Sequence, residues 1–372
     1  MTEVPGLNWL RGLSAILVLL AHDRPLFYAD YPDMTAGQGP LLALFYLVTS
    51  LGSSAVMVFF VLSGYLVASS ADRAMRDGRW SWGDYLTRRF SRLWAVLIPC
   101  LLLTLACDWT GMAVTDSPTY LGEVPEFLFP YGRSIDLSPS DFFGNILFLQ
   151  GILVFPYGSN GPLWSISYEF WYYLFFPLLA LAWRARRRPM AMTAQLLLAA
   201  VVAAAVGRSI VELFPIWLMG FAAYRLQDRR LGRLLARRLW AVIAAVALLC
   251  AVLVVVRVTN SQTALWGRYA LGLSTALLIP ALHHPVFRHG RITSRWLSNL
   301  SYSLYLSHFP VQALISALNG DERSTTFAGG FEMFLLGLVA SAITACLVYA
   351  LFERRTPQLR LLLRAPVSTR MR

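Results

Sequence analysis

Arg11 and His22 share one apolar stretch, LRGLSAILVLLAHDR, with ten residues between them. On a helix, eleven steps of about 100° return His22 to roughly the azimuth of Arg11, about 16 Å further along the axis. One face of one hydrophobic helix then carries a fixed cation near one end and a titratable imidazole deeper along it. Imidazole titrates near neutrality, which suits proton transfer. Ionisable groups in lipid are costly and usually face a bundle interior or a wet cavity. The plainer alternative is that Arg11 marks the membrane edge and His22 caps the far end.

Four further stretches combine polar groups with apolar surroundings. In FFVLSGYLVASS (59–70), the Ser63-Gly64 pair allows close helix approach. In TRRFSRLW (87–94), Arg88, Arg89 and Arg92 sit where a cytoplasmic loop enters the third helix. That place suits polyanion phosphates through guanidinium forks, or simple anchoring on lipid phosphates. In NGPLWSISYEFWYYLFFP (160–177), Asn160, Gly161 and Pro162 form a turn and Trp164 belongs to the interfacial belt. Ser165 and Glu169 follow as an i, i+4 pair, and a carboxylate so deep in a membrane helix needs a partner or a wet cavity. In LSNLSYSLYLSHFPV (297–311), Ser301, Tyr305 and His308 fall on one face, with inter-helix hydrogen bonding as the alternative use. His283, His284 and His289 read as surface residues, and Glu212 and Glu353 as structural groups near helix ends.

These groups must be held by a membrane bundle. The chain has 372 residues, 57% of them hydrophobic and only 14% charged, and its mean hydropathy is +0.55. That excludes an ordinary soluble domain. Apolar runs place ten candidate spans at about 8–27, 45–70, 91–109, 163–183, 190–206, 208–225, 238–256, 264–283, 297–318 and 330–352. The second is preceded by LLALFY and broken near Gly52, which predicts a re-entrant piece plus a helix. The four cysteines show neither metal-ligand nor disulfide spacing, so no metal site is expected. Residues 12–21 run into His22, Asp23 and Arg24 rather than a cleavage site, so the first segment is expected to stay as an anchor.

Arginine placement sets the topology. With the N-terminus inside and ten spans, 25 of the 32 arginines fall on the cytoplasmic side and both termini are cytoplasmic. The net charge of +12 is then a topology signal rather than a mark of nucleic-acid binding. The outer segment 110–162 is acidic and aromatic, and within it FFGNILFLQGILVF (142–155) predicts a re-entrant or interfacial helix. Such a long loop is a place for substrate selection. The reading is one membrane domain over 1–356 and a short basic tail, 357–372, along the membrane surface.

Taken in order, R-x10-H, FFVLSGY, RRFSR, PLWSISYEFWYYLFFPL, LSYSLYLSHFPV and a final FER resemble the membrane-bound acyltransferase 3 family across nearly the whole chain. The resemblance implies ten membrane helices and transfer of an acyl group, usually acetyl, from cytosolic acyl-CoA to a hydroxyl. The acceptor it implies is a glycan or lipid-linked sugar, and the location the inner (plasma) membrane of a bacterium. It places the essential histidine on His22, its partner arginine on Arg11, the R-x-x-R pair on Arg89 and Arg92, and the carboxylate on Glu169. Some relatives carry an additional C-terminal hydrolase-like domain, for which this sequence has no counterpart.

The chemistry expected from these residues is coherent. Arg11, Arg89 and Arg92 would hold the acyl-CoA phosphates while the slim pantetheine arm runs along the first helix toward His22. Glu169, if it faces His22, would orient the ring as the acidic member of a triad does. Asn160, Trp164, Ser165, Tyr305 and His308 are the expected acceptor contacts. A second class is a transporter or flippase, since intramembrane Arg, His and Glu also mark substrate paths. No inverted repeat is evident for it. A non-catalytic scaffold would not need five such motifs.

Overall fold

Apolar runs punctuated by Pro, Gly and Ser give a helical chain. The computed structural model describes residues 4–35, 39–121, 135–227 and 229–364. In order, the helices are α1 (Pro5–Phe27), α2 (Pro40–Val48), α3 (Gly52–Ser63), α4 (Ser69–Arg76), α5 (Trp82–Val114), α6 (Pro118–Leu121), α7 (Pro139–Ile146) and α8 (Trp164–Arg184). They continue as α9 (Pro189–Val206), α10 (Arg208–Gln227), α11 (Arg230–Arg237), α12 (Leu239–Val258), α13 (Leu265–Ala281), α14 (Arg291–Leu318), α15 (Phe327–Leu351) and α16 (Thr356–Arg364). No strand occurs among the described residues, only isolated bridges at Tyr28–Ser324 and Gln150–Val154.

Each of the ten apolar runs falls largely on helix, the second being broken at Thr49–Leu51, and among the described residues six helical stretches are long and apolar enough to cross a membrane. The other four differ in composition or length. Helices α1 and α14 bear the ionisable and hydroxyl groups already singled out, α8 is crowded with Tyr and Trp around Glu169, and α13 has 17 residues.

The structure departs from the sequence reading at defined places. Helix α5 begins at Trp82, well before the apolar run, because Ser81 caps it by accepting from the Asp84 amide at 3.4 Å. Arg88, Arg89 and Arg92 therefore lie within a helix rather than in a loop leading to one. The stretch 142–155 is not one helix. Helix α7 ends at Ile146, and the chain then turns through Phe148 and Gly151, both at positive φ. Beyond Glu353 the described residues continue through a short turn into α16, which packs on α5. Glu123, Glu126, Arg133, Arg370 and Arg372 lie outside the described residues. The expected break near Gly52 is present, with α2 and α3 separated at Thr49–Leu51.

The chain forms two compact units, one of Met1–Val18, Phe45–Arg79 and Tyr168–Ser301, the other of Leu19–Leu44, Trp80–Ser167 and Tyr302–Arg372. In the first, α3, α10 and α13 pack together, with the fully buried Trp217 near their centre. A π-helical turn, Gly64–Ala68, joins α3 to α4. Gly64 lies against the Trp217 carbonyl and Gly220 against that of Val61, so the two backbones touch and neither position has room for a Cβ. In the second unit α5 is the spine, with α6, α7, α15 and α16 against it. Glu353 accepts there from the backbone and hydroxyl of Ser303, at 3.2 and 2.5 Å, a structural role as expected.

His283 is no plain surface residue. Tyr65 donates its hydroxyl to Gln227 Oε1 (2.7 Å), the Gln227 amide meets His283 Nδ1 (3.3 Å), and His283 Nε2 meets the Tyr65 oxygen (3.1 Å). The ring of bonds closes only with His283 neutral and its proton on Nε2, and burial lowers its pKa below the usual histidine value. A folded-state pKa below the unfolded one makes the unfolded chain bind more protons. Stability is then fully present above about pH 6.5, the unfolded value, and is lost as pH falls toward the folded value. Thermal unfolding followed across that window is expected to show less acid sensitivity in His283→Gln than in the parent; equal slopes would reject the role.

Candidate active site

The second unit gathers most of the expected site residues. His22, near the end of α1, places Nδ1 3.0 Å from Nε2 of His308 on α14. The two rings have centroids 5.1 Å apart, and Phe309 meets His22 edge-on at 5.2 Å. One helical turn away, Gln312 donates to the Leu19 carbonyl at 3.4 Å. Going back along α1 thus goes forward along α14, so the two helices run antiparallel here. His308 is 1% exposed, and its Nδ1 lies 2.9 Å from the Leu304 carbonyl. The i, i+4 spacing of α14 makes that bond local, and it fixes the ring orientation.

Hydroxyls stand beside the imidazoles. The Tyr305 ring lies 6.1 Å from that of His308, and its hydroxyl is 2.7 Å from Ser165 Oγ at the start of α8. Both hydroxyls also reach the Pro162 carbonyl, at 3.2 and 3.3 Å. Trp164, half-buried, opens α8 beside them. Asn160 lies just before them, at the head of the turn that leads into α8. Its amide group donates to the Leu306 carbonyl (2.8 Å) and to Thr104 Oγ1 (3.1 Å), which pins the Gly161–Leu163 turn to α14 and α5. Beside it, Asp108 accepts from the Ser159 amide at 2.6 Å. Neither Thr104 nor Asp108 was singled out in the sequence, although their i, i+4 spacing on α5 marks a shared face.

One more feature escaped the sequence reading. Asp23, next to His22, is fully buried, and neither carboxylate oxygen has a hydrogen-bond partner among the described residues. It lies flush against the backbone of Gly337 on α15. Burial of so polar a group beside the His22 imidazole is costly, and no pattern in the sequence announces it.

Glu169 and Arg11 belong to the first unit. The Glu169 carboxylate accepts from Ser63 (2.8 Å) and from Tyr173 (2.5 Å), and Trp217 Nε1 donates to Ser63 at 3.1 Å. The Ser63 expected only to ease helix packing therefore holds the carboxylate. Arg89, in the second unit, lays its guanidinium over the Tyr85 ring at 5.1 Å, and Arg92 lies one turn on along α5.

The profile described as an acyltransferase domain, acyltransferase 3, matches residues 4–353. The chain belongs to the acyltransferase 3 family. Among curated proteins, this family member is 33% identical over 183 residues to "Acyltransferase MdmB" of Streptomyces mycarofaciens, covering 48% of this chain and 39% of that protein. It is 24% identical over 177 residues to "O-acetyl transferase" of Shigella phage Sf6, covering 44% of this chain and 42% of that one. The matches thus span about two fifths of the length of these relatives. No solved structure matches.

Proposed function

We propose that this acyltransferase 3 protein is a multi-pass membrane O-acyltransferase. It moves an acyl group, acetyl first among candidates, from cytosolic acyl-CoA to a hydroxyl of a cell-surface or exported glycan, in the inner membrane of a bacterium. One observation carries this reading: the His22 imidazole, set on an apolar helix, is hydrogen-bonded ring to ring with His308. The family assignment supports acyl transfer, and a relative named O-acetyl transferase supports oxygen as the acceptor atom.

In this reaction His22 takes the proton of the acceptor hydroxyl as its oxygen attacks the thioester carbonyl. The C–S bond breaks, an ester forms, and the proton passes to the departing CoA thiolate. Tyr305 and Ser165 present hydroxyls to the acceptor, and Trp164 a ring on which a sugar face can rest. Asn160 holds the turn that carries them. Glu169, oriented by Ser63 and Tyr173 within the first unit, is proposed as a functional carboxylate in its own right. The direct test is incubation of purified protein with acetyl-CoA and a panel of lipid-linked and free glycans, following thiol release and ester formation together. Thiol release coupled to a new ester is expected. No ester with any acceptor, alongside gradient-driven uptake of one of them, would favour a transporter instead.

Arg89 and Arg92 hold the CoA phosphates in this scheme. Joint replacement of Arg89 and Arg92 by alanine is expected to weaken acetyl-CoA binding at least about 10-fold, since each charge-assisted contact contributes about 1.5–3 kcal/mol. A titration with unchanged affinity in the folded double variant returns these arginines to a purely topological role. The scheme also needs ten spans with both termini inside. In a variant lacking the exposed Cys250 and half-buried Cys346, a cysteine at Ser138 is expected to react from outside. One at Arg233 reacts only after the membrane is opened, and the reverse pattern removes the side assignment.

A further inference from the structure

We infer that His308 is a positioning residue that holds His22 in the tautomer protonated on Nδ1, and so makes Nε2 the nitrogen that does the chemistry. The inference deepens the function proposed above and rests on it. It follows from two distances and the valence of imidazole. A carbonyl oxygen only accepts, so the 2.9 Å contact between His308 Nδ1 and the Leu304 oxygen requires a proton on that nitrogen. In a neutral ring the other nitrogen then carries the lone pair. His308 Nε2 is therefore an acceptor, and the group 3.0 Å away, His22 Nδ1, must supply the hydrogen. His22 in turn is left with its lone pair on Nε2.

The order of bonds is His22 Nδ1–H to His308 Nε2, then His308 Nδ1–H to Leu304 O, running outward to a fixed backbone atom. A carboxylate in the same place would perform the same orienting task with a full charge; here a neutral ring does it. The opposite polarity would need a second proton on His308, a cation in a site only 1% exposed and walled by Phe309 and Tyr305. That arrangement would also put the proton of His22 on Nε2 and leave it useless as a base. When His22 takes the acceptor proton on Nε2, its Nδ1–H bond to His308 strengthens as the ring becomes cationic, so the pair tightens during the reaction without changing partners.

The experiment combines nitrogen NMR on histidine-labelled protein with steady-state kinetics of three forms. In the parent, the His22 signals (assigned through His22→Ala) are expected to show a protonated Nδ1 and a lone-pair Nε2. In His308→Leu the tautomers should mix and kcat fall about 10–100-fold, as on loss of an orienting partner at other sites, with KM for acetyl-CoA unchanged. His308→Gln, whose side-chain oxygen can accept from Nδ1, should restore the parent tautomer and most of kcat. A parent spectrum with the His22 proton on Nε2 overturns the inference, as does a folded His308→Leu protein with full kcat while His22→Ala is inactive. If instead His22→Ala keeps its activity, the proposed function of His22 fails, while the parent spectrum still reports whether His308 sets the tautomer. Should His308→Leu fail to fold, the parent spectrum and the Gln variant decide.

Discussion

Replacing His22 by alanine is expected to abolish acyl transfer while leaving expression, membrane insertion and acetyl-CoA binding near normal. Loss of a general base removes about 10²–10⁴ in rate. The alternative, that His22 only packs α1 against α14, makes a different prediction. Removing its hydrogen bond to His308 would then cost roughly 1–3 kcal/mol of stability, and activity per folded molecule would survive. Measuring ester formation on material that elutes as a single folded species separates the two. Arg11→Lys is the companion variant, because it keeps the topology charge and loses the guanidinium fork. A well-folded His22→Ala protein that still esterifies its acceptor would sink the site.

The second large effect is structural. At Gly64 and Gly220 a new Cβ meets main-chain oxygen, of Trp217 and Val61 respectively, rather than the yielding end of a side chain. Overpacking usually costs about 1–3 kcal/mol when side chains can adjust, and backbone atoms in two crossing helices adjust less. Gly220→Leu and Gly64→Val are each expected to drive α3 and α10 apart and eliminate folded protein, scored by size-exclusion profile and thermal transition after detergent extraction. Gly83→Ala is the control, since the nearest atom to its Cβ would be Ser81 Oγ at 3.8 Å. Normal profiles for both core variants would show that the crossing is looser than its geometry implies.

The long helices were legible because they are apolar runs of about membrane length, and the polar interruptions in α1, α8 and α14 marked where a site was to be sought. Pairings were less legible. His308 reads from its own helix as one more polar group on a shared face, because its meeting with His22 depends on how α14 runs back along α1. Ser63 looks like a packing residue until Glu169 is placed beside it, and His283 like a surface residue until Tyr65 and Gln227 close around it. The start of α5 was missed because the apolar count begins at residue 91, whereas the helix is begun by the Ser81 cap. Asn160 was singled out as a contact for the acceptor, while the two bonds of its amide group, to Leu306 and Thr104, depend on α14 and α5 and could not be read from its own stretch.

The partnership of His22 with His308 also has a consequence for how the molecule is made. The two residues are 286 positions apart. At ribosomal rates of about 5–20 residues per second, α14 leaves the ribosome roughly 15–60 s after α1. The glycine of α15 against which Asp23 is buried comes later still. Throughout that interval the His22–Asp23–Arg24 end of the first helix exists before the helices that enclose it. A nascent chain halted before α14 therefore displays an unsheathed polar helix end, a feature by which membrane quality control can tell unfinished chains from complete ones.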